Sequence, residues 1–139
     1  MAQKVSDVMT SDPVTLPREA PLVEAARLMR DQGIGDVIVI EGDSAEGIVT
    51  DRDIVVRGVA DGRDPNTVQL GDVLSGDLTA VSPNDSVDRA VQLMRQKAIR
   101  RLPVVDGGRP VGIVSLGDLA MERDEGSVLA DISEEPPNV

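Results

Sequence analysis

The sequence predicts an α/β fold in which two β-α-β-β-α repeats pack around a pseudo-two-fold axis. A shift of 65 residues aligns 5–61 with 70–126 without a gap, and 14 of the 57 aligned pairs are identical. In each copy, apolar residues first recur at helical spacing and then form two short runs separated by turn residues. This internal repeat indicates one module made of two similar halves.

Each copy is predicted to begin with a short turn, a small strand and a helix. The turns are 5–9 and 70–74, and the strands are 14–16 and 78–81. Gly33 is a natural helix stop in the first copy, and Ala98 replaces it in the second. Apolar residues spaced i, i+3, i+4 and i+7 form one stripe on each helix: Leu22, Ala25, Ala26 and Met29 in the first copy, and Val87, Ala90, Val91, Met94 and Ala98 in the second.

A predicted hairpin and a second helix complete each copy. Turn residues separate the runs 37–40 and 47–49 in the first copy, and 102–105 and 111–114 in the second. The second helix begins near Asp51 or Leu116. The boundaries are therefore 1–62 for repeat 1, 63–69 for a turn-rich linker and 70–123 for repeat 2. Residues 124–139, with five acids and no base, are predicted to be an acidic disordered tail.

Composition excludes several function classes. The 139 residues include 25 acids and 14 bases, a net charge of −11, and no Cys, His, Phe, Tyr or Trp. There is consequently no disulfide framework, Ser-His-Asp triad, Cys or His zinc site, or aromatic platform for single-stranded nucleic acid. An acidic chain also lacks the basic field that binds phosphate backbones. We expect a soluble cytoplasmic protein without nucleic-acid or membrane partners, catalytic residues or a metal.

The sharpest local motif joins a strand to a helix in both copies. Residues 47–54 read Gly-Ile-Val-Thr-Asp-Arg-Asp-Ile, and 112–119 read Gly-Ile-Val-Ser-Leu-Gly-Asp-Leu. One interpretation is a capping box, in which Thr50 or Ser115 caps the helix and the Asp three residues on reaches back. The other is a ribose-phosphate site, because a helix start offers N–H groups and a carboxylate can bind a vicinal diol.

These features together resemble a tandem pair of cystathionine-β-synthase (CBS) domains, or Bateman module. The resemblance covers 5–123 and depends on the doubled motif and on 99–106, which reads Ile-Arg-Arg-Leu-Pro-Val-Val-Asp. Residues 50–58 with 64–67 further resemble the small stand-alone CBS-pair proteins of the bacterial hypoxic-response type. The resemblance implies a non-enzymatic regulatory module that binds AMP, ADP, ATP or another adenosyl ligand in clefts between the copies.

The resemblance also implies which residues serve each cleft. A ribose would bind the hydroxyl and Asp of one copy, and the adenine and phosphate would contact the first two strands of the other. Cleft A would use Thr50, Arg52, Asp53, Thr79, Ala80, Val81, Arg100, Arg101, Leu102 and Pro103. The second, weaker cleft B would use Val14, Thr15, Leu16, Gly35, Asp36, Val37, Ser115 and Asp118.

The two clefts are predicted to differ in charge. Arg100 and Arg101 suit a phosphate in cleft A, whereas Asp36 would repel one in cleft B. Cleft B is therefore expected to be empty or to take an uncharged or cationic adenosyl ligand. Apolar adenine walls would come from Ile48, Val81, Leu102 and Ile113.

The module is expected to act in trans on a protein effector and to form a homodimer through incompletely covered helix faces: Ala25, Met29, Ile54, Val55, Val56, Ala90 and Met94. Two alternatives remain open at this point. One is a structural or interaction protein, stress-related, with vestigial clefts. The other is a nucleotide hydrolase using Asp51 or Asp53 with Mg²⁺.

Overall fold

The computed structural model describes residues 3–74 and 78–123, and the predicted tail at 124–139 lies outside them. The elements in chain order are α1 Val5–Val8, β1 Thr10–Ser11, β2 Thr15–Pro17, α2 Leu22–Gln32, β3 Asp36–Glu41, β4 Ser44–Thr50, α3 Asp51–Asp53, a π-helical segment Ile54–Val59, α4 Leu70–Val73, α5 Val87–Lys97, β5 Arg101–Asp106, β6 Arg109–Ser115 and α6 Leu116–Arg123. The mixed α/β class predicted from the sequence is confirmed.

The chain divides into two compact units whose boundaries differ from those of the sequence repeats. Among the described residues, unit I contains 14–74 and 78, and unit II contains 3–13 and 79–123. Each unit thus takes one opening turn from the other sequence copy. Val5 of α1 is fully buried in the core of unit II, and Leu70 of α4 is fully buried in that of unit I.

Unit I is built on a three-stranded sheet in the order β2-β3-β4. β2 pairs in parallel with β3, and β3 pairs antiparallel with β4. Helix α2 contributes the buried side chains Leu22, Ala25 and Met29. They pack with Val37, Val39 and Val49 from the strands. The predicted hairpin of the first copy is therefore confirmed, as are three of the four predicted stripe residues, while the fourth, Ala26, is only half-buried.

Unit II has a sheet in the order β1-β6-β5, in which both pairings are antiparallel. The predicted strand at 78–81 is wrong in extent, since only Val81 makes a parallel bridge, to Val104. In unit I the N–H of Arg18 continues the equivalent ladder by donating to the Ile40 carbonyl at 3.0 Å. The residue 65 positions later is Pro83, which has no N–H to donate.

The helix stops are where the sequence predicts them. Gly33 ends α2 with φ 65°, and Ala98 ends α5 with φ 54°. In both cases the cap N–H donates to the carbonyl of the methionine four residues earlier. Alanine in this left-handed conformation is strained relative to glycine, so the second copy keeps the geometry at a cost in stability.

The linker at 63–69 is bonded to the start of α2. The N–H of Leu22 donates to the Val68 carbonyl and that of Val23 to the Pro65 carbonyl, both at 2.9 Å. In unit II the N–H of Val87 donates to the Gln3 carbonyl at 2.9 Å. Segments that precede each turn therefore satisfy helix-start donors that have no partner within the helix.

The second helix of the first copy departs from the predicted regular helix. After α3 the chain winds as a π-helix over Ile54–Val59, whereas α6 is α-helical in the equivalent place. Val55, Val56 and Val59 are 58%, 44% and 66% exposed. Gly58 is buried against Leu22, and a Cβ there would lie 2.6 Å from the Leu22 Cδ2 atom.

The predicted incompletely covered helix faces are mostly wrong. Ala25, Met29, Ala90 and Met94 are buried within the cores of their own units, because i, i+4 neighbours on each helix face the sheet. Only the π-helical part of that set leaves valines exposed. No helix within 3–74 and 78–123 has the length and apolar character needed to cross a bilayer.

Candidate functional site

The Thr50–Asp53 motif forms a complete capping box at the start of α3. The Asp53 N–H donates to Thr50 Oγ1 at 3.1 Å, and the Thr50 N–H donates to Asp53 Oδ2 at 2.9 Å. Ser115 and Asp118 repeat both bonds at 3.1 and 2.9 Å. The capping interpretation is therefore confirmed in both copies. It uses Oδ2 of each Asp and does not involve Oδ1.

Each hydroxyl–Asp motif lies beside the start of the neighbouring strand. In unit I Thr50 pairs with Asp36 across the hairpin, and the Asp51 N–H donates to the Gly35 carbonyl at 3.1 Å. In unit II Ser115 pairs with Arg101, and the Leu116 N–H donates to the Arg100 carbonyl at 2.8 Å. Residues predicted for opposite clefts are thus neighbours within one unit.

The two sheets differ in charge at the strand ends that carry the hydroxyl–Asp motifs, here called their edges. The edge of unit I has Asp36, Asp51 and Asp53 with Arg52, whereas the edge of unit II has Arg100 and Arg101 with Asp118. Thr50, Asp53, Ser115 and Asp118 are half-buried, and Arg52 and Arg100 are exposed. The basic edge is where an anion is favoured, because Arg presents several donors in a fixed fork.

Several predicted ligand-binding residues have core side chains. Leu16, Val37, Val81 and Leu102 belong to the two buried clusters, and Pro103 is also buried. The side chains of the four cluster residues pack in the cores, whereas that of Pro103 lies on the face of β5 opposite to that of Leu102. For Val81 the N–H donates to the Pro103 carbonyl and the carbonyl accepts from Val105. Its N–H is therefore committed to the sheet.

The other predicted contacts are half-buried and therefore reachable. Val14 and Thr15 lie at the start of β2, and Thr79 and Ala80 precede the Val81 bridge. Ile48 and Ile113, the proposed adenine walls on β4 and β6, are also half-buried. An aliphatic wall supplies apolar burial but no stacking face.

Two features of the site were not predicted from the sequence. Arg57 lies one helical turn after Asp53, with its Nε atom 3.9 Å from Asp53 Oδ1; the i, i+4 spacing could have revealed this pair. The motif glycines are the second feature. A Cβ on Gly47 would lie 3.1 Å from Leu74 Cδ2, and a Cβ on Gly112 would lie 2.6 Å from Met9 Sδ. Each glycine thus allows close approach of the exchanged opening turn.

The described parts of the chain contain no cluster of side chains that could bind a metal ion. Within 3–74 and 78–123, no group of three or more acidic side chains is placed to hold an ion. The whole sequence has neither Cys nor His, which supply the sulfur and nitrogen ligands of structural zinc sites.

Comparison with known proteins identifies the family. A family model described as CBS domain matches residues 5–58 and 70–125. The CBS domain-containing protein YhcV of Bacillus subtilis (strain 168) is 43% identical over 133 residues, which covers 93% of this chain and 94% of that protein.

Two solved structures have similar folds. Hypoxic Response Protein I, crystallised with two coordinated zinc ions, gives a TM-score of 0.79 at 33% identity and covers 86% of this chain and 98% of that one. A hexameric CBS-CP12 protein from bloom-forming cyanobacteria gives 0.77 at 32%, covering 88% of this chain and 72% of that one. The family resemblance read from the sequence is confirmed: this chain belongs to the CBS domain family and carries a tandem pair of these domains.

Proposed function

We propose that this protein is a non-enzymatic regulatory module that binds an adenosine-containing ligand of the AMP, ADP or ATP class and acts in trans on a protein effector in the cytoplasm. Two observations support the proposal: the hydroxyl–Asp motif is present in both copies, and arginines occupy the strand start of only one copy. By the family resemblance, one ligand would be served by Thr50 and Asp53 together with Thr79, Ala80, Val81, Arg100 and Arg101.

The proposed ribose contacts depend on the hydrogen-bonding atoms of Thr50 and Asp53 that the capping bonds leave available. Asp53 Oδ2 accepts from the Thr50 N–H, which leaves Oδ1 to accept from a ribose hydroxyl. The Thr50 oxygen accepts from the Asp53 N–H, so its own proton can be donated to the ligand. A carboxylate and a hydroxyl held rigidly at a helix start are suited to a vicinal diol.

The side-chain charges that would contact a phosphate favour cleft A over cleft B. Arg100 and Arg101 bring two positive charges, whereas the equivalent Gly35 and Asp36 bring one negative charge. Bidentate arginine–phosphate bonds are charge-assisted and among the stronger hydrogen bonds in proteins. The second site, with Ser115 and Asp118, would remain empty or take an uncharged or cationic adenosyl ligand.

Isothermal titration calorimetry with AMP, ATP and S-adenosylmethionine tests this proposal. We expect AMP to bind near one molecule per chain. Arg101→Ala should weaken AMP by tenfold or more, because a hydrogen bond to a charged group contributes roughly 1.5–3 kcal/mol. The control Arg109→Ala removes an equal charge from an exposed position at the start of β6 and should change affinity less than twofold. Equal effects of the two variants would contradict the phosphate assignment.

A structural or interaction protein with vestigial clefts is the second candidate. The completed capping bonds in both copies favour it, since they explain the motif residues without a ligand. The name of Hypoxic Response Protein I supports a stress-related setting for either function. If millimolar AMP, ATP and S-adenosylmethionine leave the melting temperature unchanged while the assembly stays intact, the scaffold function is preferred.

Self-association is part of the same proposal. Val55, Val56 and Val59 expose apolar surface on the π-helical segment, and exposed apolar surface commonly marks an interface. The hexameric relative supports assembly of CBS pairs. We expect light scattering to give twice the chain mass of 14.7 kDa, and Val55→Lys with Val59→Lys to give the monomer mass. A monomeric wild type would contradict the homodimer.

A further inference from the structure

The two oxygens of the Asp53 carboxylate have different surroundings. Oδ2 accepts from the Thr50 N–H at 2.9 Å, and Oδ1 lies 3.9 Å from the Nε atom of Arg57. The Asp53 side chain is 21% exposed and that of Arg57 is 45% exposed. A separation of 3.9 Å is an ion pair without a hydrogen bond. Oδ1 can therefore still accept from a ligand while Arg57 offsets its charge.

The two sequence copies differ at this position. Asp118 forms the same capping bonds as Asp53, but Glu122 occupies the place of Arg57 four residues on. Residues 51–57 contain two acids and two arginines and so are neutral, whereas 116–122 contain two acids and no base. Arg57 therefore removes the net negative charge from the first of these helical segments, whereas the positive charge beside the second comes from Arg100 and Arg101 on the adjoining strand.

We propose that Arg57 is a specificity-determining residue that makes the Thr50–Asp53 site accept a phosphorylated adenosyl ligand in preference to an uncharged one. The inference rests on the proposed function, because it assigns a charge preference to that site. Arg57 acts through the field near Asp53 and does not need to contact the adenosine. Removing one unit charge several ångströms from a phosphate in a partly solvated site should change affinity by roughly three- to tenfold.

An ordinary helix-surface ion pair is the competing explanation. An acid placed four residues before a base is the favourable orientation for such pairs, and they contribute little at exposed positions. A purely structural pair would alter stability and leave the ratio of AMP to adenosine affinities unchanged. That ratio is therefore the readout that separates the two explanations.

The test measures AMP and adenosine affinities by calorimetry for wild type, Arg57→Gln and Arg57→Lys. Arg63→Gln is the control, because it removes the same charge from an exposed residue of unit I whose Nη1 lies 3.4 Å from the Asp72 carbonyl. We expect Arg57→Gln to weaken AMP by roughly three- to tenfold with adenosine changed less than twofold. Arg57→Lys should keep most of the AMP affinity, and Arg63→Gln should keep all of it.

The outcomes distinguish this inference from the proposed function. If wild type binds AMP but Arg57→Gln leaves AMP affinity unchanged, or weakens AMP and adenosine equally, the role of Arg57 is overturned and the proposed function stands. If Arg63→Gln weakens AMP as much as Arg57→Gln, only net charge matters and the specific role is overturned. If wild type binds neither compound, both proposals fail.

Discussion

Replacing Gly112 by alanine should destabilise the protein by about 2 kcal/mol, whereas the matched change Gly47→Ala should have little effect. The two glycines occupy equivalent positions in the two copies and both precede the Ile-Val of the motif. Each lies against an opening turn supplied by the other sequence copy. The comparison therefore tests the exchange of these turns between the packing units.

The difference in magnitude follows from the atoms that a new methyl group would meet. At Gly112 the Cβ would lie 2.6 Å from Met9 Sδ and 2.9 Å from the Thr10 carbonyl oxygen. Thr10 belongs to β1, which is held by its pairing with β6, so this backbone cannot turn away. Overpacking of this kind costs up to about 3 kcal/mol, offset by roughly 0.5–1 kcal/mol because alanine suits a strand better than glycine.

At Gly47 the obstacle is softer. The nearest atom is Leu74 Cδ2 at 3.1 Å, the end of a half-buried side chain. A small rotation of Leu74 relieves that contact, and the gain in strand propensity offsets the remaining cost. We therefore expect a change within about 0.5 kcal/mol of zero.

Urea unfolding followed by far-ultraviolet circular dichroism measures both variants, because the chain has no aromatic residue to report by fluorescence. For an m value of about 2 kcal/mol/M, a loss of about 2 kcal/mol lowers the midpoint by about 1 M. The Gly47→Ala midpoint should match wild type closely. Equal shifts for the two variants, or an unchanged midpoint for Gly112→Ala, would refute the described packing of Met9 and Thr10 on β6.

Three further predictions concern stability. Ala98→Gly should stabilise the protein by up to about 1 kcal/mol, and Gly33→Ala should destabilise it by about as much, because both positions need a left-handed backbone; thermal melts giving the same sign for both would contradict this. Ser115→Ala should cost about 1 kcal/mol through loss of the helix cap, and an unchanged urea midpoint would mean that the cap contributes nothing. A hydrogen bond to Glu46, and then the negative charge of Glu46, raise the pKa of Glu41. The stability from this shift is present below the ordinary pKa of Glu41 and is lost as pH rises through the raised value. Glu41→Gln keeps a hydrogen-bond donor at every pH. The urea midpoint of this variant minus that of wild type should therefore increase as pH rises from 4 to 7, and parallel pH profiles would contradict this.

Much of the fold could be predicted because the internal repeat shows which apolar positions are equivalent in the two copies. Leu22, Ala25 and Met29 align with Val87, Ala90 and Met94, and all six are buried. The destination of the opening turns could not be predicted. Both turns carry Asp-Val followed by a large apolar residue, so either turn suits either core. Only the three-dimensional packing separates them.

The candidate site was likewise predictable only in part. The capping bonds of Thr50 and Asp53 follow from spacing alone, since a hydroxyl residue and an acid three residues on define a capping box. Val37 and Leu102 each begin a run of three consecutive buried residues, so both strand faces are covered there and alternation cannot separate ligand-facing from core side chains. The winding of Ile54–Val59 as a π-helix has no marker in the local sequence.

The central claim, that Thr50 and Asp53 hold an adenosyl ligand, is tested most directly by the AMP dissociation constants of Asp53→Asn and Asp118→Asn. Asparagine retains an oxygen that can accept the cap N–H and removes the charge and the second carboxylate oxygen. We predict that Asp53→Asn weakens AMP by tenfold or more, as expected for a lost hydrogen bond to a charged group, and that Asp118→Asn changes it less than twofold. Equal dissociation constants for the two variants, or a larger effect of Asp118→Asn, would contradict the account.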